Sequence, residues 1–148
     1  MAGSAVATKI EHRPRGVVRT NINITTDASG NASATVVGTG FGRVVGVFYN
    51  GGLDASAVVT FSDYKTGATL FTYTTGTEGT PTTFRPTTNV VDVAGATISA
   101  ATSAPNVNRD IFLAGKVSVT VASGGNAETG TFALLVDEGR VGDLALTV

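Results

Sequence analysis

The sequence has no cysteine, no tryptophan and a single histidine, His12. Without cysteine the chain can form neither disulfide bonds nor a thiol nucleophile, and a site built on two histidines is also excluded. A serine triad would have to take its base from the first fifteen residues, where His12 lies. We therefore expect no catalytic site, no metal site, no cofactor and no enzymatic activity.

Charged residues are also few, at 14% of the chain, and the formal net charge is -1. A balanced charge gives no general reason to expect nucleic acid as a partner, and no predicted strand interleaves basic with aromatic residues. The first residues lack the basic start and apolar run of a secretion signal, and no apolar run is long enough for a transmembrane helix. We expect neither a nucleic-acid nor a membrane partner.

Carboxylates are the remaining source of chemistry. A pair of carboxylates for glycoside hydrolysis remains possible, because the sequence alone does not exclude that two of them lie close together in the fold. The candidates are Asp54, Asp63, Glu78 and Asp92. Each of them occupies a position typical of a turn. Asp27 lies in a hydroxyl-rich turn that invites a calcium interpretation, but calcium loops need several carboxylates and this turn has one, so turn chemistry is expected.

The abundance of Thr, Val, Ala and Gly, with little Lys, Glu or Leu, favours strands and turns over helices. A length of 148 residues fits one domain. We predict an all-β fold, an antiparallel β-sandwich of about seven or eight strands at residues 16–137. A flexible basic arm at 1–15 and a C-terminal tail or added strand at 138–148 flank it.

Strand pairs joined by turn residues predict three hairpins. They join residues 18–25 to 32–36, 57–61 to 70–73, and 115–122 to 131–137, and the third is taken as the centre of the fold. The glycines at 38, 40 and 42 lack the spacing of a dinucleotide loop and precede no helix, so they predict a bend or bulge between strands.

The segment 74–114 predicts a long connection with short strands, and it is our leading candidate for a contact surface. The residues before 20 are basic and the last twelve are mainly acidic, so the two ends either meet complementary surfaces or are solvated tails. Candidate subunit contacts from the basic segment, the connection and the tail are Lys9, Arg13, Arg15, Arg19, Phe84, Arg85, Arg109, Leu144 and Leu146.

Residues 58–71, 84–86 and 112–131 together resemble small structural proteins of tailed bacteriophages that are encoded in the head-gene region. The shared order is a strand, a Thr-Gly turn, a strand, an Arg-Pro loop and a valine-rich strand that ends in Gly-Gly-Asn-Ala. The likeness extends over roughly residues 54–136. These motifs are structural, so they point to a virion protein more than to its role.

The resemblance implies a capsid decoration, or cement, protein on the virion surface, made in the host cytoplasm. Its partners would be the major capsid protein and other copies of the chain, with trimers favoured. A minor tail, neck or head-fibre protein is the alternative. A carbohydrate-binding, adhesin-like module is a weaker one, with Phe48, Tyr49, Tyr64, Phe71 and Tyr73 as the stacking residues. For Phe71 and Tyr73 a place in the core is favoured.

Overall fold

A computed structural model describes residues 2–13, 16–89 and 108–139 of the chain. These residues form ten strands and no helix. The strands are β1 (Ser4–Arg13), β2 (Val17–Thr25), β3 (Ala32–Tyr49), β4 (Val58–Asp63), β5 (Thr69–Thr74), β6 (Thr82–Phe84), β7 (Thr87–Asn89), β8 (Asn108–Asp110), β9 (Phe112–Ala122) and β10 (Thr129–Asp137).

Seven strands follow the order β1-β2-β10-β3-β9-β4-β5, and β6 is added alongside β3. Every pair is antiparallel, while β7 and β8 form a separate two-stranded ribbon. The predicted all-β, antiparallel fold class is confirmed.

The 18-residue strand β3 belongs to both layers of the sandwich. From Ala32 to Arg43 it pairs with β9, and from Arg43 to Tyr49 it pairs with β10. The change of partner follows a register shift between Gly38 and Phe41, as at a β-bulge. The predicted bulge therefore lies within one continuous strand and not between two strands.

Two buried rings show that the sheet folds over on itself. Phe61 on β4 and Phe132 on β10 are three strands apart in the sheet order, which is about 14 Å in a flat sheet. Their ring centroids are 5.7 Å apart, edge to face, and both side chains are fully buried. The two layers therefore face each other across a shared core.

An aromatic cluster fills the middle of that core. The ring of Phe132 stacks on Tyr49 at 4.7 Å and meets the edge of Tyr73 at 5.7 Å, and Phe61 stacks on Phe71 at 4.4 Å. Alternate residues of the flanking strands complete the core, among them Ile22, Ile24, Val59, Val117, Val119, Val121, Leu134 and Val136. Phe71 accordingly belongs to the core, as favoured from the sequence, and Tyr73 is partly buried and packs against that core.

Two of the three predicted hairpins are wrong. β9 and β10 do not pair, because β3 lies between them, and β2 pairs with β1 and β10 instead of β3. The turn segments 26–31 and 123–128 instead bond to each other across the two layers, with Gly124 N–H donating to Gly30 O at 2.7 Å. Only the β4–β5 hairpin forms as predicted.

The predicted N-terminal arm also needs correction. Residues 4–13 form β1, which pairs with β2 along its whole length. Ala5 is fully buried, and Gly3 lies so close to the backbone of Asn31 that a Cβ there would clash. The small side chains that made this segment look like a tail are those that fit it against the sandwich, so the domain begins near residue 3.

The aromatic cluster generates a stability prediction. Phe132→Ala should lower the free energy of unfolding by about 3–5 kcal/mol, because it removes a fully buried ring and leaves a cavity. Phe112→Ala is the matched control, since that ring is 68% exposed, and it should change stability by about 0.5 kcal/mol or less. Urea denaturation of both variants measures the difference, and equal losses would contradict the assigned core.

Candidate interaction surface

The described residues do not gather a metal-binding cluster. Across residues 2–13, 16–89 and 108–139 no three His, Asp or Glu side chains are grouped to hold a metal ion. Asp54 precedes a turn, Asp63 begins the β4–β5 turn and Glu78 is exposed, while Asp92 lies outside the described residues. The absence of enzymatic activity stays a prediction. No helix of the described ranges is long and apolar enough to cross a membrane.

Two carboxylates hold turns together. Asp27 Oδ1 accepts hydrogen bonds from the N–H groups of Ser29 and Asn31, at 2.8 and 2.9 Å. These bonds, that from Asn31 first, favour the charged form and lower the pKa of Asp27. Asp63 accepts bonds from the hydroxyl and N–H of Thr66, which likewise lower its pKa. The turn role predicted for Asp27 is confirmed.

Two phenylalanines are largely exposed on the outer side of β3 and β9. Phe41 is 67% exposed and Phe112 is 68% exposed. The register pairs Phe41 with Ala114 and Arg43 with Phe112, which places all four residues on one face of the two strands. Large apolar side chains exposed together mark an interaction site more often than single exposed ones do.

The β4–β5 turn extends this surface. Tyr64 is exposed there, and the Lys116 ammonium lies 5.4 Å from the centre of its ring, within cation–π distance. We call Phe41, Tyr64, Phe112, Ala114 and Lys116 the aromatic face. A groove of about 540 Å³ runs across it between Phe41, residues 114–116 of β9 and residues 63–66 of the turn.

Gly115 allows Phe41 to adopt its position. Its φ of 85° lies in the left-handed region, and a Cβ at this residue would stand 2.6 Å from the Phe41 ring. The ring therefore lies over bare backbone, and any larger residue at 115 would displace it. The floor of the groove depends on this glycine.

Four charged residues border the aromatic face, and we call them the ion-pair cluster. Arg43 bridges Asp110 and Asp137, at 3.4 and 3.3 Å, and Arg85 Nη2 lies 2.7 Å from Asp110 Oδ1. The cluster joins β3 and β10 to residues at both ends of the 85–110 connection. All four side chains are partly exposed, between 27% and 49%, so each pair contributes little to stability.

The structure brings together only part of the predicted contact set. Arg85 belongs to the ion-pair cluster, and the exposed Arg109 directly precedes Asp110 of that cluster in sequence. Phe84 is partly buried against the core, where its ring stacks on Tyr73 at 4.6 Å. Arg19 donates to Asn21 Oδ1 at 3.0 Å on β2. Lys9 and Arg13 belong to β1, and Arg15, Leu144 and Leu146 lie outside the described residues.

Sequence reasoning missed the two residues that dominate the surface. Phe112 was predictable, since it is out of phase with the inward valines of β9. Phe41 was not, because alternation does not assign a face to a residue within a bulge. The five aromatic residues proposed to stack on sugars do not form one platform, since Tyr49 and Phe71 are buried.

No protein-family model, curated protein or solved structure matches this chain.

The turn carboxylates generate a pH prediction. A carboxyl whose pKa is lowered by folding adds stability above its ordinary pKa of about 3.9, and that stability is lost as the pH falls through the lower, folded value. Asp27→Asn should therefore lose less stability than the wild type between about pH 6 and about pH 3. Urea midpoints at the two pH values measure the loss, and an equal loss in both proteins would contradict the role given to Asp27.

A double-mutant cycle tests the ion-pair cluster. Arg85→Ala and Asp110→Ala should couple by no more than about 1 kcal/mol, because solvent screens the pair. Arg109→Ala is the matched control and should show no coupling to Asp110→Ala, since this exposed arginine lies outside the cluster. A coupling as large for Arg109 as for Arg85 would refute the assigned pairing.

Proposed function

We propose that this chain is a non-enzymatic virion protein that binds the outer surface of a bacteriophage capsid lattice and stabilises the head. The observation that carries the proposal is the aromatic face, with two phenylalanines each about two-thirds exposed on paired strands of the sandwich. Such a surface suits binding to another protein. The likeness of residues 54–136 to phage head-region proteins supports the choice of partner.

The composition of the surface also fits a protein partner. Stable interfaces concentrate aromatic residues and arginine at their centre, with polar residues around them. Here Phe41 and Phe112 adjoin Arg43 and Arg85 of the ion-pair cluster, and Lys116 lies on the opposite side of Phe41. A rigid sheet that presents these groups would bind with little loss of conformational entropy.

A capsid repeats the same site many times, which changes how much affinity one contact must supply. Subunits that also associate with each other, with trimers favoured, gain effective concentration at each neighbouring site. Weak single contacts then give full occupancy. The major capsid protein and other copies of this chain are therefore the proposed partners, and the sandwich would serve as the rigid body between them.

Copy number tests the role. Quantitative mass spectrometry of purified particles of the phage that encodes this chain should give a ratio near one to one with the major capsid protein, or a fixed large fraction of it. A few copies per particle would instead favour the tail, neck or head-fibre role, which occupies a single vertex. Absence from the particle would refute a virion role.

A substitution tests the surface. The Phe41→Ser, Phe112→Ser variant should bind particles that lack this chain at least about tenfold more weakly than the wild type, because truncating central aromatic residues commonly costs more than about 1.4 kcal/mol. Phe48→Ser is the matched control, a 40% exposed phenylalanine at the other end of β3. Sedimentation binding assays measure both, and equal affinity of the two variants would contradict the assigned surface.

A further inference from the structure

The outer side of the layer formed by β3, β9, β4 and β5 presents small side chains in two rows across the strands. Each row consists of residues that are directly paired in the register, so all six point to the same side of the sheet. They are Thr72, Thr60 and Thr120 in the first row and Ser62, Ser118 and Val36 in the second. We call these six residues the hydroxyl face. They are exposed or partly exposed, up to 53% for Val36, whereas the intervening Val59 and Phe61 are fully buried.

The hydroxyl face carries no charged side chain. Across β4, β5 and residues 32–37 and 116–122, the charged residues are Asp63 and Lys116, which border the groove at one end of the face. The outer face of the other layer, by contrast, has Arg19 in the middle of β2. Charged residues on exposed sheets oppose the association of one molecule with another. The hydroxyl face lacks this protection.

We propose that the hydroxyl face packs against the same face of a second copy of this chain. A hydroxyl group both donates and accepts hydrogen bonds, so the threonines and serines of one copy can bond to those of the other, which two ammonium groups or two carboxylates do not do. The absence of charge also removes like-charge repulsion between two identical faces. Side chains no larger than valine let two sheets approach to about 10 Å, the usual spacing of packed sheets.

The size of the face determines how strong this contact is. Four strands about 4.8 Å apart and a length of five residues at about 3.3 Å each give roughly 300 Å² on each copy. Two faces therefore bury roughly 600 Å², well below the value of about 1,200 Å² at which stable complexes begin. Serine and threonine are also rare among the residues that dominate binding energy. The pairing is therefore weak and reversible in solution.

The geometry of the contact separates it from the capsid role. A face that packs on itself relates two copies by a twofold axis, so it joins the chains in pairs and differs from any contact that holds a trimer together. It uses neither Phe41 nor Phe112 of the aromatic face. The proposal goes beyond the capsid role and does not depend on it, because pairing in solution would be unchanged if this chain bound no capsid.

A charge placed on the face tests the pairing. In sedimentation velocity experiments, the sedimentation coefficient of the full wild-type chain should rise as its concentration is increased to about 1 mM. Thr60→Lys should weaken the association at least about tenfold, because it sets like charges against each other across the twofold axis. An equimolar mixture of Thr60→Lys and Thr60→Glu should restore the association, which a folding defect would not do.

The matched control is Thr25→Lys, the same substitution at an exposed position of β2 on the outer face of the other layer. It should associate like the wild type, and so should the Phe41→Ser, Phe112→Ser variant. A wild type that stays monomeric up to about 1 mM, equal association of Thr60→Lys and wild type, or no recovery in the mixture would each overturn the proposal. Loss of association only in the Phe41→Ser, Phe112→Ser variant would assign the contact to the aromatic face and would overturn it as well.

Discussion

The pairing of β3 along both of its edges is the constraint on which the rest of the structure depends. One edge bonds to β9 and the other to β10, and each of those strands then carries further strands of its own layer. Because β3 is common to both layers, the facing positions of Phe61 and Phe132 follow from its change of partner. The core is therefore built around the bend of a single strand.

The same bend determines where the chain presents a surface. The register shift between Gly38 and Phe41 breaks the alternation of inward and outward side chains, and it leaves Phe41 outside, above the bare backbone of Gly115. Glu138, which follows β10, accepts a hydrogen bond from the N–H of Phe41. The aromatic face is thus a product of the way in which the two layers are joined.

Local pattern predicted the strands well and their partners poorly. The alternation of Val117, Val119 and Val121 identified β9 and its inward face, and the turn chemistry of Asp27 was also correct. The neighbours of β9 depend on contacts with β3 and β4, far away in sequence, and short-range turn signals carry no information on them. β1 was not predicted, because a segment of small and polar residues has the composition of a flexible tail. Its pairing with β2 becomes evident only in the folded structure.

The position of β3 in the chain has a consequence for the kinetics of folding. Its two long partners, β9 and β10, lie at residues 112–137, as in the pairs Val37 with Val117 and Val47 with Leu134, so these two ladders close only after that region has been synthesised. Closing such long loops costs entropy before any pairing is gained, and all-β proteins of this kind fold in about milliseconds to seconds. On the ribosome, the β4–β5 hairpin can therefore form early, whereas the long ladders of β3 form only once residues 112–137 are available.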